Sequence, residues 1–139
     1  MGHLTGKTAI ITGGGRAVLS DGSCGSIGYG IATAYAKEGA NLVITGRNAK
    51  KLDEAKEELE RLYGIKVLPV QADVSAGSDN EKVVNHVIDQ TVDTFGRIDV
   101  LINNAQASAS GVTIEDHTTE QFDLAIYSGL YAAYYYMKA

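Results

Sequence analysis

Residues 7–15, KTAIITGGG, join an apolar run directly to three glycines. The apolar run predicts a buried β-strand, and the glycines predict a sharp turn at its end. After a longer loop, residues 25–32, GSIGYGIA, begin an amphipathic pattern that predicts a helix. A glycine-rich turn between a strand and a helix N-terminus lets backbone N–H groups approach a phosphate. This stretch therefore predicts a nucleotide-binding turn.

The rest of the chain alternates strands and helices. Apolar runs predict strands at 41–45, 66–71 and 98–102, and amphipathic patterns predict helices at 27–38, 49–63 and from an N-cap at Ser78 to Phe95. This alternation is typical of a parallel sheet with helices on both faces. Pro69 cannot donate a hydrogen bond to a neighbouring strand, so the third strand belongs at a sheet edge. We therefore expect an α/β, Rossmann-like, doubly wound parallel sheet with strand order 3-2-1-4 and flanking helices.

Three further segments carry motifs. Residues 4–7, LTGK, precede the first strand, Asp73-Val74 follows the third, and residues 103–106, NNAQ, follow the fourth. Together with the glycine turn they resemble the short-chain dehydrogenase/reductase family, whose first turn usually reads T-G-x-x-x-G-x-G. The resemblance covers essentially the whole chain. It implies a nicotinamide-dependent oxidoreductase that transfers hydride to or from a carbonyl or alcohol. The substrate is expected to be a small molecule.

The expected cofactor site combines the glycine turn with the ends of the later strands. Backbone amides, the Ser26 hydroxyl and the helix dipole are expected to hold the phosphates. The resemblance implies that Asp73 accepts from the adenine amino group and that Val74 packs on the ring. Asn104 and Ala105 are expected near a ribose, and Asn103 is expected to hold the sheet together. The phosphate set is Gly13, Gly14, Gly15, Ser26, Ile27 and Gly28.

The second strand ends in Gly46-Arg47, and this pair bears on cofactor choice. A site that prefers NAD places an acidic residue there to accept from the ribose hydroxyls. A small residue followed by a cation instead suits a 2′-phosphate. We therefore expect NADP(H) to be favoured over NAD(H).

The chain departs from the family pattern at several positions. Residues 26–30, SIGYG, resemble the loop of the enoyl-acyl carrier protein reductases, so an enzyme of that branch is an alternative. Gln106 replaces the last glycine of the N-N-A-G segment, and Gly129 aligns with an Asn that many members use in a proton relay. These replacements favour an alternative of another class, a nucleotide-binding module without catalysis.

The family does its chemistry with a Tyr and a Lys four residues apart and a Ser on the preceding strand. Tyr134 and Lys138 have this spacing and would share a helix face, where the ammonium favours the phenolate. No strand with a Ser precedes them, so they are candidates by spacing alone, and the resemblance implies that the Ser, Tyr and Lys lie beyond Ala139. A typical domain of this fold is longer than 139 residues. We therefore expect 1–139 to be an NAD(P)-binding Rossmann domain without its catalytic part, inactive alone.

Composition restricts the partners. A net charge of −5 gives no basic patch for nucleic acid, and no apolar run is long enough to span a membrane. The single cysteine, Cys24, fits a reducing compartment, so we expect a cytoplasmic protein. The three histidines are scattered, so no metal site is expected. Tyr127, Tyr131 and Tyr135 recur at steps of four and favour a homo-oligomeric contact.

Overall fold

The computed structural model describes residues 2–139. It contains four strands, five α-helices, a short 3₁₀ turn and a π-helical turn. In chain order the elements are β1 (Thr8–Thr12), α1 (Ile27–Lys37), β2 (Asn41–Gly46), α2 (Ala49–Tyr63), β3 (Val67–Gln71), the 3₁₀ turn (Gly77–Asp79), α3 (Asn80–Phe95), β4 (Val100–Ile102), α4 (Thr119–Ile126), the π turn (Tyr127–Tyr131) and α5 (Ala132–Lys138).

The four strands form one parallel sheet in the order β3-β2-β1-β4. This order confirms the doubly wound fold expected from the alternation of elements. It also confirms that the strand containing Pro69 lies at an edge. Because all strands run the same way, their carboxyl ends meet along one edge of the sheet.

The core lies on both faces of the sheet because successive side chains of a strand point to opposite sides. Ile11 and Ile44 pack with α1 and α2 on one face. Ile10 and Val43 pack with α3 and α5 on the other face. All four of these side chains are fully buried. The central strands therefore need apolar residues on both faces of the sheet.

Local capping explains where the helices begin and end. Helix α2 begins after Asn48, whose side chain accepts from the Lys51 amide, and it ends at Gly64 in the left-handed conformation. Helix α1 begins after Ser26, whose hydroxyl accepts from the Tyr29 amide at 3.3 Å. The expected N-cap at Ser78 is wrong, because Ser78 lies inside the 3₁₀ turn and α3 begins only at Asn80.

The long loop between β1 and α1 folds back on itself and is fixed to α2. A single β-bridge joins Val18 to Cys24. The Arg16 Nε donates to Glu58 Oε2 at 2.7 Å, and the Tyr29 hydroxyl donates to the same oxygen. The hydrogen bonds from Arg16 and Tyr29 hold the pKa of Glu58 below its usual value. Arg16, near the start of the loop, is therefore held against α2, and the same Glu58 carboxylate also binds Tyr29 of α1.

The last helical segment packs against α3. The Asn80 Nδ2 donates to the carbonyl of Tyr127 at 2.9 Å, which ties the start of α3 to the π turn. The buried Ser128 hydroxyl donates within the same segment to the carbonyl of Leu124 at 2.7 Å. These contacts fix the position of the π turn. Over residues 2–139, no helix is both long and apolar enough to cross a bilayer.

Candidate functional site

A cleft of about 270 Å³ lies at the carboxyl edge of the sheet. It is bordered by residues that follow each of the four strands, which is where open α/β sheets bind their ligands. The lining residues are Gly13, Thr45, Gly46, Arg47, Ala72, Asp73, Val74, Asn104, Ala105, Gln106 and Ala107.

The bottom of the cleft depends on glycines at two points of close approach. Gly13 adopts φ +73°, and a Cβ placed there would lie 2.9 Å from Asn104 Nδ2. Gly28, at the start of α1, is closer still, since its Cβ would lie 2.0 Å from the Gly13 carbonyl oxygen. Any side chain at Gly28 would therefore push α1 away from the turn after β1.

Asn104 and Thr12 join the carboxyl ends of β1 and β4. The Thr12 hydroxyl accepts from the backbone amides of Asn104 at 3.0 Å and Ala105 at 2.9 Å. The Asn104 Nδ2 donates in return to the Thr12 carbonyl at 2.9 Å. The structural role expected of Asn103 thus belongs to its neighbour Asn104. Asn103 itself is exposed.

Charged groups lie at the opposite end of the cleft, beside β2 and β3. Asp73 accepts from the amide and the hydroxyl of Ser75, at 2.9 and 2.6 Å. Burial alone would raise the pKa of Asp73, but the two hydrogen bonds and the nearby positive charge of Arg47 outweigh it and hold the pKa below its ordinary value. Arg47 forms no ion pair within 4 Å among residues 2–139. The cleft therefore contains an ionised carboxylate and an unpaired cation.

The structure brings together about half of the predicted cofactor set. Those that line the cleft are Gly13, Arg47, Asp73, Val74, Asn104 and Ala105. Those outside the lining are Gly14, Gly15, Ser26, Ile27 and Gly28. The Gly14 amide is already engaged, because it donates to the Thr45 carbonyl at 3.0 Å. Ile27 is 76% exposed at the first turn of α1.

Tyr134 and Lys138 lie on α5 and do not line the cleft. Lys138 Nζ instead donates to Glu81 Oε1 of α3 at 2.6 Å. Tyr134 is 53% exposed. Their four-residue spacing places them on one helix as expected, but neither side chain is among those that line the cleft.

Several lining residues carry no motif of their own. Thr45 and Ala72 are buried ends of apolar runs, and Ala107 follows the N-N-A-Q segment. The position at the carboxyl end of a predicted strand is the signal that would have found them. Arg16 and Glu58 were missed as a pair because they are far apart in the sequence. Among residues 2–139, no group of three or more His, Cys, Asp or Glu is arranged to hold a metal.

A parallel sheet of this order, with a cleft at its carboxyl edge, defines a Rossmann-like fold. Residues 7–139 match the family model described as short chain dehydrogenase, and the chain belongs to that family. The 12alpha-hydroxysteroid dehydrogenase of Clostridium sp. is 62% identical over 138 residues, which are 99% of this chain and 51% of that protein. The chain thus spans about half the length of the curated relatives it matches.

Solved structures show the same fold. L-sorbose reductase from Gluconobacter frateurii, complexed with NADPH and L-sorbose, is 30% identical with a TM-score of 0.82, over 97% of this chain and 46% of that chain. NAD⁺-bound xylitol dehydrogenase is 26% identical with a TM-score of 0.83, over 99% of this chain and 47% of that chain. These relatives differ in the cofactor they contain. The similarity to a hydroxysteroid dehydrogenase gives no support to the enoyl-acyl carrier protein reductase alternative.

Proposed function

We propose that this chain is the cofactor-binding domain of an NADP(H)-dependent short-chain dehydrogenase that interconverts an alcohol and a carbonyl. The cleft at the carboxyl edge of the sheet is the observation that carries the proposal. It offers a cation, a carboxylate, an apolar wall and a carboxamide along one groove. It also has a glycine at its base, where a Cβ would lie 2.9 Å from Asn104 Nδ2. This set of groups fits a dinucleotide, which supplies the hydride when it is bound.

Each lining residue has a distinct role in this proposal. Asp73, held ionised by Ser75 and Arg47, accepts from the adenine amino group. Val74 covers the face of the ring. Asn104 and Ala105 hold the wall beside a ribose, since Thr12 fixes both of their backbone amides. The phosphates lie between these ends, over Gly13 and toward the N-terminus of α1.

Cofactor choice is assigned to Arg47. Its guanidinium is exposed at the cleft and makes no ion pair among residues 2–139, so it is free to bind a 2′-phosphate. Replacing Arg47 by Ala should weaken NADPH binding about tenfold and leave NADH binding nearly unchanged, as measured by titration calorimetry. Arg61→Ala, at the far end of α2, is the matched control for the loss of one positive charge.

Two results would contradict this assignment. Equal affinity of the unaltered protein for NADPH and NADH would remove the preference itself. An equal effect of Arg47→Ala and Arg61→Ala would show that only the overall charge matters.

We further propose that residues 1–139 bind cofactor without turning over a substrate. Lys138 is ion-paired with Glu81, and neither it nor Tyr134 lines the cleft. The 62% identity to a hydroxysteroid dehydrogenase favours a steroid-like secondary alcohol or ketone as the substrate of the whole enzyme. Incubation with NADPH and a ketosteroid should leave the nicotinamide absorbance unchanged. Steady consumption of NADPH would refute this part of the proposal.

Self-association through α5 completes the proposed assembly. The rings of Tyr127 and Tyr131 stack with centroids 5.2 Å apart, and the neighbouring Leu130 and Met137 are 62% and 68% exposed. Clustered exposed apolar side chains of this kind mark protein interfaces. Sedimentation should show a dimer or larger species that Met137→Glu converts to monomer. A protein that sediments as a monomer without substitution would rule this out.

A cytoplasmic location is also proposed. Cys24 is an exposed free thiol, which suits a reducing compartment. Fractionation of source cells should recover the protein with cytoplasmic markers, and recovery in an oxidising compartment would contradict the proposal.

A further inference from the structure

The wall of the cleft beside β4 carries a side chain with no assigned role. Gln106 lines the cleft just after the Asn104 and Ala105 pair. Arg47 and Asp73 follow β2 and β3, which lie on the other side of β1. Neighbouring strands are about 4.8 Å apart, so the ends of the cleft are separated by roughly 10–15 Å. A ligand that contacts Arg47 must therefore be elongated to reach Gln106.

The backbone on both sides of Gln106 is fixed. The amide of Ala105 donates to the Thr12 hydroxyl at 2.9 Å. The amide of Ala107 donates to the Ser128 hydroxyl at 2.9 Å. The single Ser128 hydroxyl proton is shared between the carbonyls of Ala107 at 2.8 Å and Leu124 at 2.7 Å. Ser128 is itself 1% exposed within the π turn. The stem of Gln106 is therefore held at its base by two buried hydroxyl groups.

The side chain of Gln106 extends over Gly129. A Cβ at Gly129 would lie 3.6 Å from Gln106 Cγ, in van der Waals contact with it. Gln106 is exposed, and its carboxamide makes no hydrogen bond to residues 2–139. A fixed stem with a free carboxamide is suited to contact a ligand.

We propose that Gln106 is a cofactor-contacting residue whose carboxamide hydrogen bonds to the nicotinamide half of the bound dinucleotide, with Ser128 as its positioning residue. This inference depends on the proposed dinucleotide site. A carboxamide both donates and accepts, which matches the amide and the ribose hydroxyls of that half. The other half contacts Arg47 and Asp73 at the opposite end. Gln106 therefore distinguishes a whole dinucleotide from its adenosine fragment.

The test compares two ligands on the same chain. Gln106→Ala should weaken NADPH binding about three- to tenfold, which is the loss of one net hydrogen bond at a partly exposed site. The affinity for adenosine 2′,5′-bisphosphate, which lacks the nicotinamide half, should stay unchanged. Asn103→Ala is the matched control, because it removes an exposed carboxamide three residues away that does not line the cleft. Both ligands are titrated by calorimetry.

The possible outcomes are distinct. Unchanged NADPH affinity in Gln106→Ala overturns the inference. An equal loss for both ligands overturns it as well, because a general disturbance of the cleft would then explain the result. If the unaltered protein binds neither ligand, the proposed function fails and the inference fails with it. Because Gln106 is exposed, its replacement should leave the midpoint of urea unfolding unchanged.

Discussion

The two ends of the β1–β4 pair are joined by different chemistry. At the carboxyl end, beside the cleft, Thr12 and Asn104 exchange uncharged hydrogen bonds. At the amino end, Asp99 Oδ2 accepts from the amide of Thr8 at 2.8 Å, and the same carboxylate pairs with Arg97. The Arg97 hydrogen bond and that of Thr8 lower the pKa of Asp99 to about 2.

The uncharged junction therefore lies where a ligand is expected to bind, and the charged junction makes stability depend on pH. A carboxylate in place of Asn104 would set a negative charge beside the expected pyrophosphate. The uncharged junction avoids that repulsion, and its strength does not depend on protonation. The charged junction lies at the amino ends of the strands, where no phosphate is expected. Acid should therefore weaken the Asp99 junction at the amino end and leave the Thr12–Asn104 junction unaffected.

Gly28→Ala should have the largest effect, because it disrupts the packing at the carboxyl end of the β1–β4 pair. The new methyl group would lie 2.0 Å from the Gly13 carbonyl oxygen and 2.6 Å from Asn104 Nδ2. We expect a loss of about 3 kcal/mol in the free energy of unfolding, measured with urea. Gly30→Ala in the same helix is the control. Its Cβ would meet only Cys24 Sγ at 3.3 Å, so stability should change by about 1 kcal/mol or less. Similar values for the two variants would disprove the close-approach argument.

Thr12→Val should break the same junction without a clash. Valine keeps the shape but leaves the amides of Asn104 and Ala105 without their acceptor. The expected cost is about 2 kcal/mol in urea unfolding, together with weaker NADPH binding. Thr33→Val is the control, since the Thr33 hydroxyl only donates to the Tyr29 carbonyl within α1. Unaltered NADPH affinity in Thr12→Val would mean that the junction does not shape the cleft.

Asp99→Asn tests the charged end through its pH dependence. The folded pKa of about 2 is below the unfolded value, so Asp99 stabilises the fold above the unfolded pKa and loses this contribution as the pH falls through about 2. The stability advantage of the unaltered protein over the variant should be constant near neutral pH and shrink between about pH 4 and pH 2. Urea unfolding across this range measures it, with Asp89→Asn on α3 as the charge-matched control. A difference that does not change with pH would contradict the sign of the shift.

The smallest expected effect is the coupling between the two ends. Thr8 and Thr12 are separated by about 13 Å along β1, at roughly 3.3 Å per residue. The costs of Thr12→Val and Asp99→Asn at neutral pH should therefore add within about 0.5 kcal/mol in the double variant. A larger coupling energy would show that the two junctions act as one unit.

The fold could be predicted where local signals agree with tertiary packing. The bounds of α2 were predicted in full, because Asn48 caps its start and Gly64 ends it. The edge position of β3 followed from Pro69 alone. The start of α3 was not predictable in this way. Asn80 is fully buried and bonds to Tyr127, a contact 47 residues away that outweighs the local capping signal of Ser78.

The candidate site was predictable at strand ends and less so elsewhere. Asp73, Asn104 and Arg47 each follow an apolar run, and strand ends converge in a parallel sheet. Which of two adjacent asparagines joins the strands depends on the side to which each points, and sequence spacing did not reveal it. The Arg16 to Glu58 pair joins an irregular loop to the middle of α2, so no periodic pattern predicts it. The loop between β1 and α1 has no regular period either, and its Val18–Cys24 bridge was not foreseen.

The two outer strands of the sheet differ in how they could accept a further strand. Pro69 deprives β3 of one backbone donor, which hinders strand addition on that side. β4 contains no proline, and its residues Val100, Leu101 and Ile102 are only partly covered. A further strand, from the same chain or from another molecule, can therefore pair with β4 more readily than with β3. Solubility during expression should accordingly respond to a charge introduced along β4 and remain indifferent to one along β3.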